Sequence, residues 1–101
     1  MTQFKAATLA DFGREALLPR VVAGTKVVLV QAGGRVSAFE DRCAHLGLPL
    51  SGGRLQGLSL ICPAHEWEYD ACTGRGLNPA TACLKSFPVT IDGGQILVEL
   101  A

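Results

Sequence analysis

The sequence predicts an all-β protein, an antiparallel β-sandwich or barrel that carries an inserted loop-rich subdomain. Three observations support this prediction. Strand-like segments are short and are separated by glycine-rich turns. Helical periodicity is confined to one turn at residues 8–12, which Thr8 is suited to cap, and the composition shifts to Gly, Pro, Cys and His over residues 41–82. We therefore predict one domain, with a base of about 1–40 and 83–101 and a subdomain of about 41–82.

The strand-like segments alternate with short turns along the whole chain. Turns at residues 23–25 and 32–34 separate the early segments, and Asp92-Gly93-Gly94 is a hairpin signal because glycine adopts the positive φ that such turns require. The predicted strands are residues 4–6, 16–22, 26–31, 36–40, 59–62, 66–70, 85–91 and 95–100. Since the inserted segment is poor in core residues, we expect a bound metal centre to supply part of its order.

The composition limits the possible partners. Apolar residues make up 49% of the 101 residues and charged residues 18%, which excludes a disordered polar chain. Nine Lys and Arg balance nine Asp and Glu, so no basic field attracts phosphates and a nucleic-acid partner is not expected. The longest apolar runs, such as residues 27–30, are far shorter than the ~20 residues of a membrane span. Because the first six residues also lack a secretory signal, we expect a cytoplasmic monomer with no membrane partner.

The cysteines and histidines carry the strongest functional signal. Four cysteines first suggest two disulfides, but a reducing compartment favours metal or redox chemistry. Both histidines of the chain lie close to two of these cysteines, as Cys43-x-His45 and Cys62-x-x-His65. Each segment offers one thiolate and one imidazole, and sixteen residues separate the first histidine from the second cysteine. These four residues are the candidate metal ligands.

Two kinds of metal centre suit this set of donors. Two Cys and two His can form a tetrahedral structural zinc site, but nucleic-acid-binding fingers place both cysteines in one element and both histidines on a following helix. Here each segment is mixed and no helix is predicted after it. Mixed segments suit a [2Fe–2S] cluster that has two thiolates on one iron and two imidazoles on the other. A zinc-bound interaction module remains the alternative from a different functional class.

The pattern C-x-H, followed after about sixteen residues by C-x₂-H, resembles the Rieske motif at all four ligand positions. This resemblance implies a Rieske-like antiparallel base with an inserted cluster-binding subdomain. It also implies one Rieske-type [2Fe–2S] cluster held by Cys43, His45, Cys62 and His65. The protein would then carry one electron at a time and would not be an enzyme, since the sequence shows no second metal site and no nucleophile–base pair.

Several positions differ from the respiratory-type members of that family. Leu48 and Ala64 stand where those proteins carry the cysteines of a disulfide, and Trp67 stands where they carry a hydrogen-bonding serine. Losing a donor to the cluster lowers the reduction potential, so we expect a value toward the negative end of the Rieske range of about −150 to +300 mV. Tyr69 has two equal interpretations. It matches the position of a hydrogen-bonding tyrosine in those proteins, and it also suits a core-facing aromatic on a strand.

Residues 62–67 and the stretch T-G-R-G-L-N-P at residues 73–79 resemble the Rieske ferredoxins of multicomponent toluene monooxygenases. That resemblance implies a flavin-containing NADH reductase as electron donor and a di-iron hydroxylase as acceptor, in the catabolism of aromatic hydrocarbons. Ferredoxins of aromatic-ring-hydroxylating dioxygenases share the four ligands and remain the close alternative.

Two further groups of residues lead to weaker predictions. Glu66, Glu68 and Asp70 alternate along a predicted strand, where they either steer a basic partner surface or form an ordinary solvated face. Cys72 and Cys83 lie in neither ligand segment, and we interpret them as free, part-buried thiols.

Overall fold

The computed structural model describes residues 2–43, 49–63, 67–78 and 80–100. Most of its regular structure is β-strand, which confirms the predicted all-β class. The strands are β1 (Thr2–Thr8), β2 (Leu17–Val22), β3 (Thr25–Ala32), β4 (Arg35–Glu40), β5 (Arg54–Gln56), β6 (Ser59–Ile61), β7 (Glu68–Asp70), β8 (Gly76–Asn78), β9 (Ser86–Phe87), β10 (Val89–Asp92) and β11 (Gln95–Leu100). Two short 3₁₀ helices, Leu9–Phe12 and Leu50–Gly52, complete the described elements.

The base of the molecule consists of two antiparallel sheets. The first has the strand order β1-β11-β10, and the second has the order β2-β3-β4-β9. Apolar residues of both sheets pack into one cluster, the base core. Its buried members are Ala7, Phe12, Leu18, Val22, Val27, Leu29, Ala38, Ile96, Val98 and Leu100. The alternation along β11 is the two-residue period expected of a strand with one buried face.

Strand β3 is buried on both faces. Residues 27–30 in its centre have no exposed surface. Val27 and Leu29 belong to the base core, whereas Val28 and Val30 belong to a second cluster, the subdomain core. A continuous apolar run, rather than an alternation, is what a strand between two cores requires. The buried members of the subdomain core are Val28, Val30, Ala32, Phe39, Cys43, Leu50, Leu60, Cys62, Tyr69, Ala71 and Leu84.

The inserted segment contains a small antiparallel sheet of its own, with the strand order β5-β6-β7-β8. Each of these strands has three residues, which is too short for a hydrophobic period to be recognisable, and the sequence does not predict β5 or β8. The segment therefore has more regular structure than a purely loop-rich insertion. Its boundaries, at about 41 and 82, stay predictions.

The single strand predicted at residues 85–91 is two strands in different sheets. Strand β9 pairs with β4, and β10 pairs with β11. Pro88 lies between them, and it has no N–H group to donate to a strand ladder. The chain therefore passes from one sheet of the base to the other at this proline.

The predicted helical turn is present as the 3₁₀ helix Leu9–Phe12. The carboxylate of Asp11 accepts a hydrogen bond from the Thr8 N–H at 2.9 Å, and this bond holds the pKa of Asp11 below its ordinary value. Such a bond satisfies an amide that the helix itself leaves without an acceptor. In the described part of the chain, no helix has the length and apolar character needed to cross a membrane.

Candidate metal centre

Cys43 lies where the chain leaves the base. The last residue of β4, Glu40, donates its N–H to the Lys85 carbonyl at 2.9 Å, and the next N–H, of Asp41, donates to the Lys26 carbonyl at 3.0 Å. The backbone is therefore still attached to the base two residues before Cys43. The Cys43 side chain is only 1% exposed.

Cys62 lies directly after strand β6. Its N–H donates to the Trp67 carbonyl at 2.8 Å, so the two ends of the second ligand segment are joined through the backbone. Cys62 has no exposed surface. The predicted histidine ligands, His45 and His65, lie outside the described residues.

Both candidate cysteines belong to the subdomain core, together with Leu50, Leu60 and Tyr69. The structure thus brings two residues that are far apart in sequence into one apolar cluster. Thiolates are soft donors that suit zinc and iron–sulfur centres, and an apolar surrounding shields such a centre from water. The described donors therefore fit a metal centre of either kind.

The hydroxyl group of Tyr69 contacts the sulfur of Cys43. The Oη···Sγ distance is 3.5 Å, within hydrogen-bonding range for sulfur, and the tyrosine is fully buried on β7. A thiolate has no proton to donate, so Tyr69 is the donor whenever Cys43 is ionised. The interpretation of Tyr69 as a core-facing aromatic is therefore confirmed, and its contact with a candidate ligand is compatible with the hydrogen-bonding interpretation, which stays a prediction.

The carboxylate of Asp70 accepts hydrogen bonds from backbone groups of the protein. Its Oδ1 atom accepts hydrogen bonds from the N–H groups of Cys72 at 2.8 Å and Thr73 at 3.0 Å, and these bonds hold the pKa of Asp70 below its ordinary value. The predicted acidic face thus has one of its carboxylates engaged in a turn, and Glu66 lies outside the described residues. An Asp whose side chain reaches the amide two residues on is an Asx-turn, and the sequence Asp-Ala-Cys-Thr-Gly carries that signal.

The same turn ends at Gly74, against the base. Gly74 has φ +78°, in the left-handed region, and a Cβ atom there would lie 2.8 Å from the ring of Phe39. Only glycine fits this position without displacing the core aromatic. Nearby, the Ser37 hydroxyl donates to the Cys72 carbonyl at 3.3 Å, which ties the turn to β4.

Cys72 and Cys83 both carry free thiols, as predicted. Cys72 is part-buried, but Cys83 is exposed, so the prediction of partial burial is wrong for Cys83. Its sulfur donates to the Leu84 carbonyl at 3.5 Å.

A side-chain pair joins the two ends of the first ligand segment. The carboxylate of Asp41 accepts hydrogen bonds from the N–H and from the hydroxyl of Ser51, both at 2.8 Å. These residues are ten positions apart, and no periodic pattern or turn motif in the sequence links them. Sequence reasoning does not identify this pair.

Comparisons with known proteins give the class of this molecule. The model of the Rieske [2Fe-2S] domain matches residues 2–88. Because the match covers most of the chain, the protein belongs to the Rieske [2Fe-2S] domain family. The family match supports one Rieske-type [2Fe–2S] cluster, as predicted from the two ligand segments.

Within the family the chain is similar to ferredoxin components. It is 42% identical over 74 residues to the alkene monooxygenase ferredoxin component of Xanthobacter autotrophicus, a match that covers 72% of this chain and 61% of that protein. It is 32% identical over 97 residues to the naphthalene 1,2-dioxygenase ferredoxin component of Pseudomonas aeruginosa, a match that covers 95% of this chain and 93% of that protein. Among solved structures, the ferredoxin of carbazole 1,9a-dioxygenase from Nocardioides aromaticivorans superposes with a TM-score of 0.86 at 29% identity, covering 97% of each chain.

These relatives confirm the predicted fold and the predicted kind of protein. All three are named as ferredoxins of oxygenase systems, which are electron-transfer proteins and not the catalytic oxygenases. They include both a monooxygenase component and dioxygenase components.

Proposed function

We propose that this protein is a one-electron carrier that serves an oxygenase system. The proposal assigns Cys43, His45, Cys62 and His65 as the ligands of a single Rieske [2Fe–2S] cluster. The observation that carries it is the burial of two cysteines in one apolar core, each followed within three residues by a histidine in the sequence. When bound, such a cluster accepts and releases one electron without forming or breaking a bond to a substrate.

The described residues prepare the sulfur side of the site. Cys43 and Cys62 present two sulfur atoms from the ends of β-structure that is anchored by backbone hydrogen bonds. Leu50 and Leu60 exclude water around them. Because these neighbours are closely packed, they can hold the sulfurs with little change between two charge states, as an electron carrier requires.

The hydrogen bonds to the site set its expected potential. Tyr69 offers one donor to the sulfur of Cys43, and the side chain of Trp67 replaces the serine hydroxyl of the respiratory-type proteins. Fewer donors stabilise the more negative reduced state less. We therefore retain a potential toward the negative end of the Rieske range of about −150 to +300 mV.

The partners follow from the resemblances. We propose a flavin-containing NADH reductase as the donor and a di-iron hydroxylase of the toluene-monooxygenase kind as the acceptor. The T-G-R-G-L-N-P stretch supports this choice, as does the similarity to an alkene monooxygenase component. A dioxygenase acceptor is the second candidate, and the similarity to naphthalene and carbazole dioxygenase ferredoxins favours it. The cytoplasm is the compartment we propose for this exchange.

Metal analysis and spectroscopy of the purified protein test the class. We expect iron and acid-labile sulfide in equal amounts, a visible absorption spectrum, and an EPR signal that develops only on one-electron reduction. A colourless protein that contains zinc and no sulfide would exclude the electron carrier and leave the zinc-bound interaction module.

Reconstitution tests the partners. NADH, a flavoprotein reductase and this ferredoxin would be combined with a di-iron hydroxylase in one assay and with a Rieske dioxygenase in a matched assay. We expect turnover with the di-iron hydroxylase at a lower ferredoxin concentration. The opposite order would assign the protein to the dioxygenase systems while leaving the carrier role intact.

A further inference from the structure

We propose that Asp41 and Ser51 form a clamp that positions Cys43 for the cluster. This inference rests on the proposed function, because it treats Cys43 as a ligand. Both residues are part-buried, and the Asp41 carboxylate accepts two hydrogen bonds of 2.8 Å from Ser51. Hydrogen bonds to a charged acceptor are stronger than neutral ones, and a carboxylate that accepts two is directionally constrained.

One side of the clamp is attached to the base. The N–H of Asp41 donates to the Lys26 carbonyl at 3.0 Å, and the preceding N–H, of Glu40, donates to the Lys85 carbonyl at 2.9 Å. Lys26 belongs to β3, the strand shared by both cores. The carboxylate therefore extends from backbone that is hydrogen-bonded to the base.

The other side of the clamp is attached to the subdomain. Ser51 lies in the 3₁₀ helix Leu50–Gly52, and Leu50 is fully buried in the same core as Cys43. After this helix, Gly53 packs so closely on β6 that a Cβ atom there would overlap the Ile61 carbonyl oxygen. Ile61 directly precedes Cys62. The clamp thus connects the base to the element that presents the second cysteine.

The consequence is that both ends of residues 42–50 are fixed. Holding both ends of a segment lowers the conformational entropy that is lost when a ligand within it is fixed, so the clamp reduces the cost of placing Cys43 on an iron. The second ligand segment is closed by a backbone bond, from the Cys62 N–H to the Trp67 carbonyl. The ends of the first segment are joined by the side chains of Asp41 and Ser51. Substitutions of these side chains can therefore test the clamp.

The test compares Asp41→Ala with Asp41→Asn and Ser51→Ala in the cluster-containing protein. Asp11→Ala is the matched control, because the Asp11 carboxylate also accepts a backbone N–H bond, but in the base. The readouts are the rate at which visible absorbance is lost to an iron chelator, the EPR line shape of the reduced protein, and the urea midpoint by circular dichroism. The first two report the cluster, and the third reports the fold.

We expect Asp41→Ala to lose its cluster roughly tenfold faster than the wild type, the factor that about 1.4 kcal/mol gives in a rate. Ser51→Ala should show a smaller increase, since one of the two bonds remains. Asp41→Asn should stay close to the wild type, because its amide can accept from the Ser51 N–H and donate to the hydroxyl. The EPR line shape of Asp41→Ala should broaden while that of Asp11→Ala stays unchanged.

Equal rates of cluster loss in Asp41→Ala and Asp11→Ala would overturn the clamp while leaving the carrier function standing. If Asp41→Ala fails to fold, the rates of cluster loss in Ser51→Ala and Asp41→Asn test the proposal instead. Faster cluster loss in Asp41→Asn than in Ser51→Ala would contradict it. A wild-type protein without iron and sulfide would remove the proposed function and this inference together.

Discussion

The base and the inserted subdomain reach their order by different means. The base contains long strands, among them β3 with eight residues and β11 with six, whose apolar side chains help to fill the base core. The subdomain has four strands of three residues each, and side-chain hydrogen bonds of Asp41 and Asp70 hold its turns. The base is thus specified by hydrophobic pattern, whereas the subdomain adds individual polar contacts to a core that it shares with strands β3 and β4 of the base.

This difference places the two described candidate ligands, Cys43 and Cys62, in the part of the described chain where every strand has only three residues. The two cysteines take up positions in the subdomain core that aliphatic residues would otherwise fill. A bound centre adds bonds at those positions, so cluster binding and subdomain order should be coupled. The base should keep its structure when the subdomain is disturbed.

The largest effect is expected from truncating one leucine in each core, which tests whether the base and the subdomain respond separately. Leu29→Ala in the base core and Leu60→Ala in the subdomain core should each cost roughly 2–5 kcal/mol of unfolding free energy, since both side chains are fully buried. Urea unfolding followed by circular dichroism measures the cost. Only Leu60→Ala should also speed cluster loss to a chelator; equal cluster loss in both variants would show that the two cores do not act separately.

A smaller loss of stability is expected at Gly53, where the backbone lies directly against the backbone of strand β6. Gly53→Ala places a methyl group against the Ile61 carbonyl, and we expect a loss of about 2–3 kcal/mol. Gly52→Ala is the matched control, because among the described residues a Cβ there meets only the side chain of Pro63, at 3.8 Å, and its cost should stay within about 0.5 kcal/mol. Fluorescence of Trp67, the one tryptophan of the chain, follows subdomain unfolding in urea. Indistinguishable midpoints for the two variants would contradict the close approach.

A change at Tyr69 should affect the site more than the fold. Tyr69→Phe keeps the buried ring and removes the hydroxyl that contacts the Cys43 sulfur. If this hydroxyl donates to the thiolate, its loss should lower the reduction potential by roughly 30–60 mV, given that 59 mV is a tenfold change for one electron. The stability loss should be about 1 kcal/mol. A redox titration followed by visible absorbance gives the potential. An unchanged or higher value would mean that the hydroxyl does not donate to the sulfur.

The smallest effect concerns acid stability. Hydrogen bonds from the Cys72 and Thr73 amides lower the pKa of Asp70 in the folded protein, so its contribution is present above the unfolded pKa of 3.8 and is lost as the pH falls through the folded pKa. Asp70→Asn keeps an acceptor oxygen and should reduce the drop in urea midpoint between pH 5 and pH 3, measured by Trp67 fluorescence. Asp11→Asn should do the same for the base, measured by circular dichroism. A wild-type pH dependence in Asp70→Asn would rule out the turn as a source of acid sensitivity.

The difference between the base and the subdomain also explains which features of the structure the sequence predicts. The base strands have recognisable apolar patterns, and Cys43 and Cys62 are identifiable because their residue types and spacing are unusual. Strands β5 and β8 are too short to show a period. The Asp41–Ser51 pair depends on a fold that brings residues ten positions apart together, which no local pattern specifies. The break at Pro88 and the Asx-turn at Asp70 do have local signals, since proline lacks an N–H and aspartate caps turns.

The central claim is that Cys43, His45, Cys62 and His65 together hold a [2Fe–2S] cluster. Pulsed EPR of the reduced protein, grown with ¹⁵N-labelled histidine, tests this ligand set most directly. We predict two strongly coupled histidine nitrogens in the wild type and the loss of one of them in His65→Cys. A reduced cluster with no coupled histidine nitrogen, or a protein with no paramagnetic reduced state, would contradict the account.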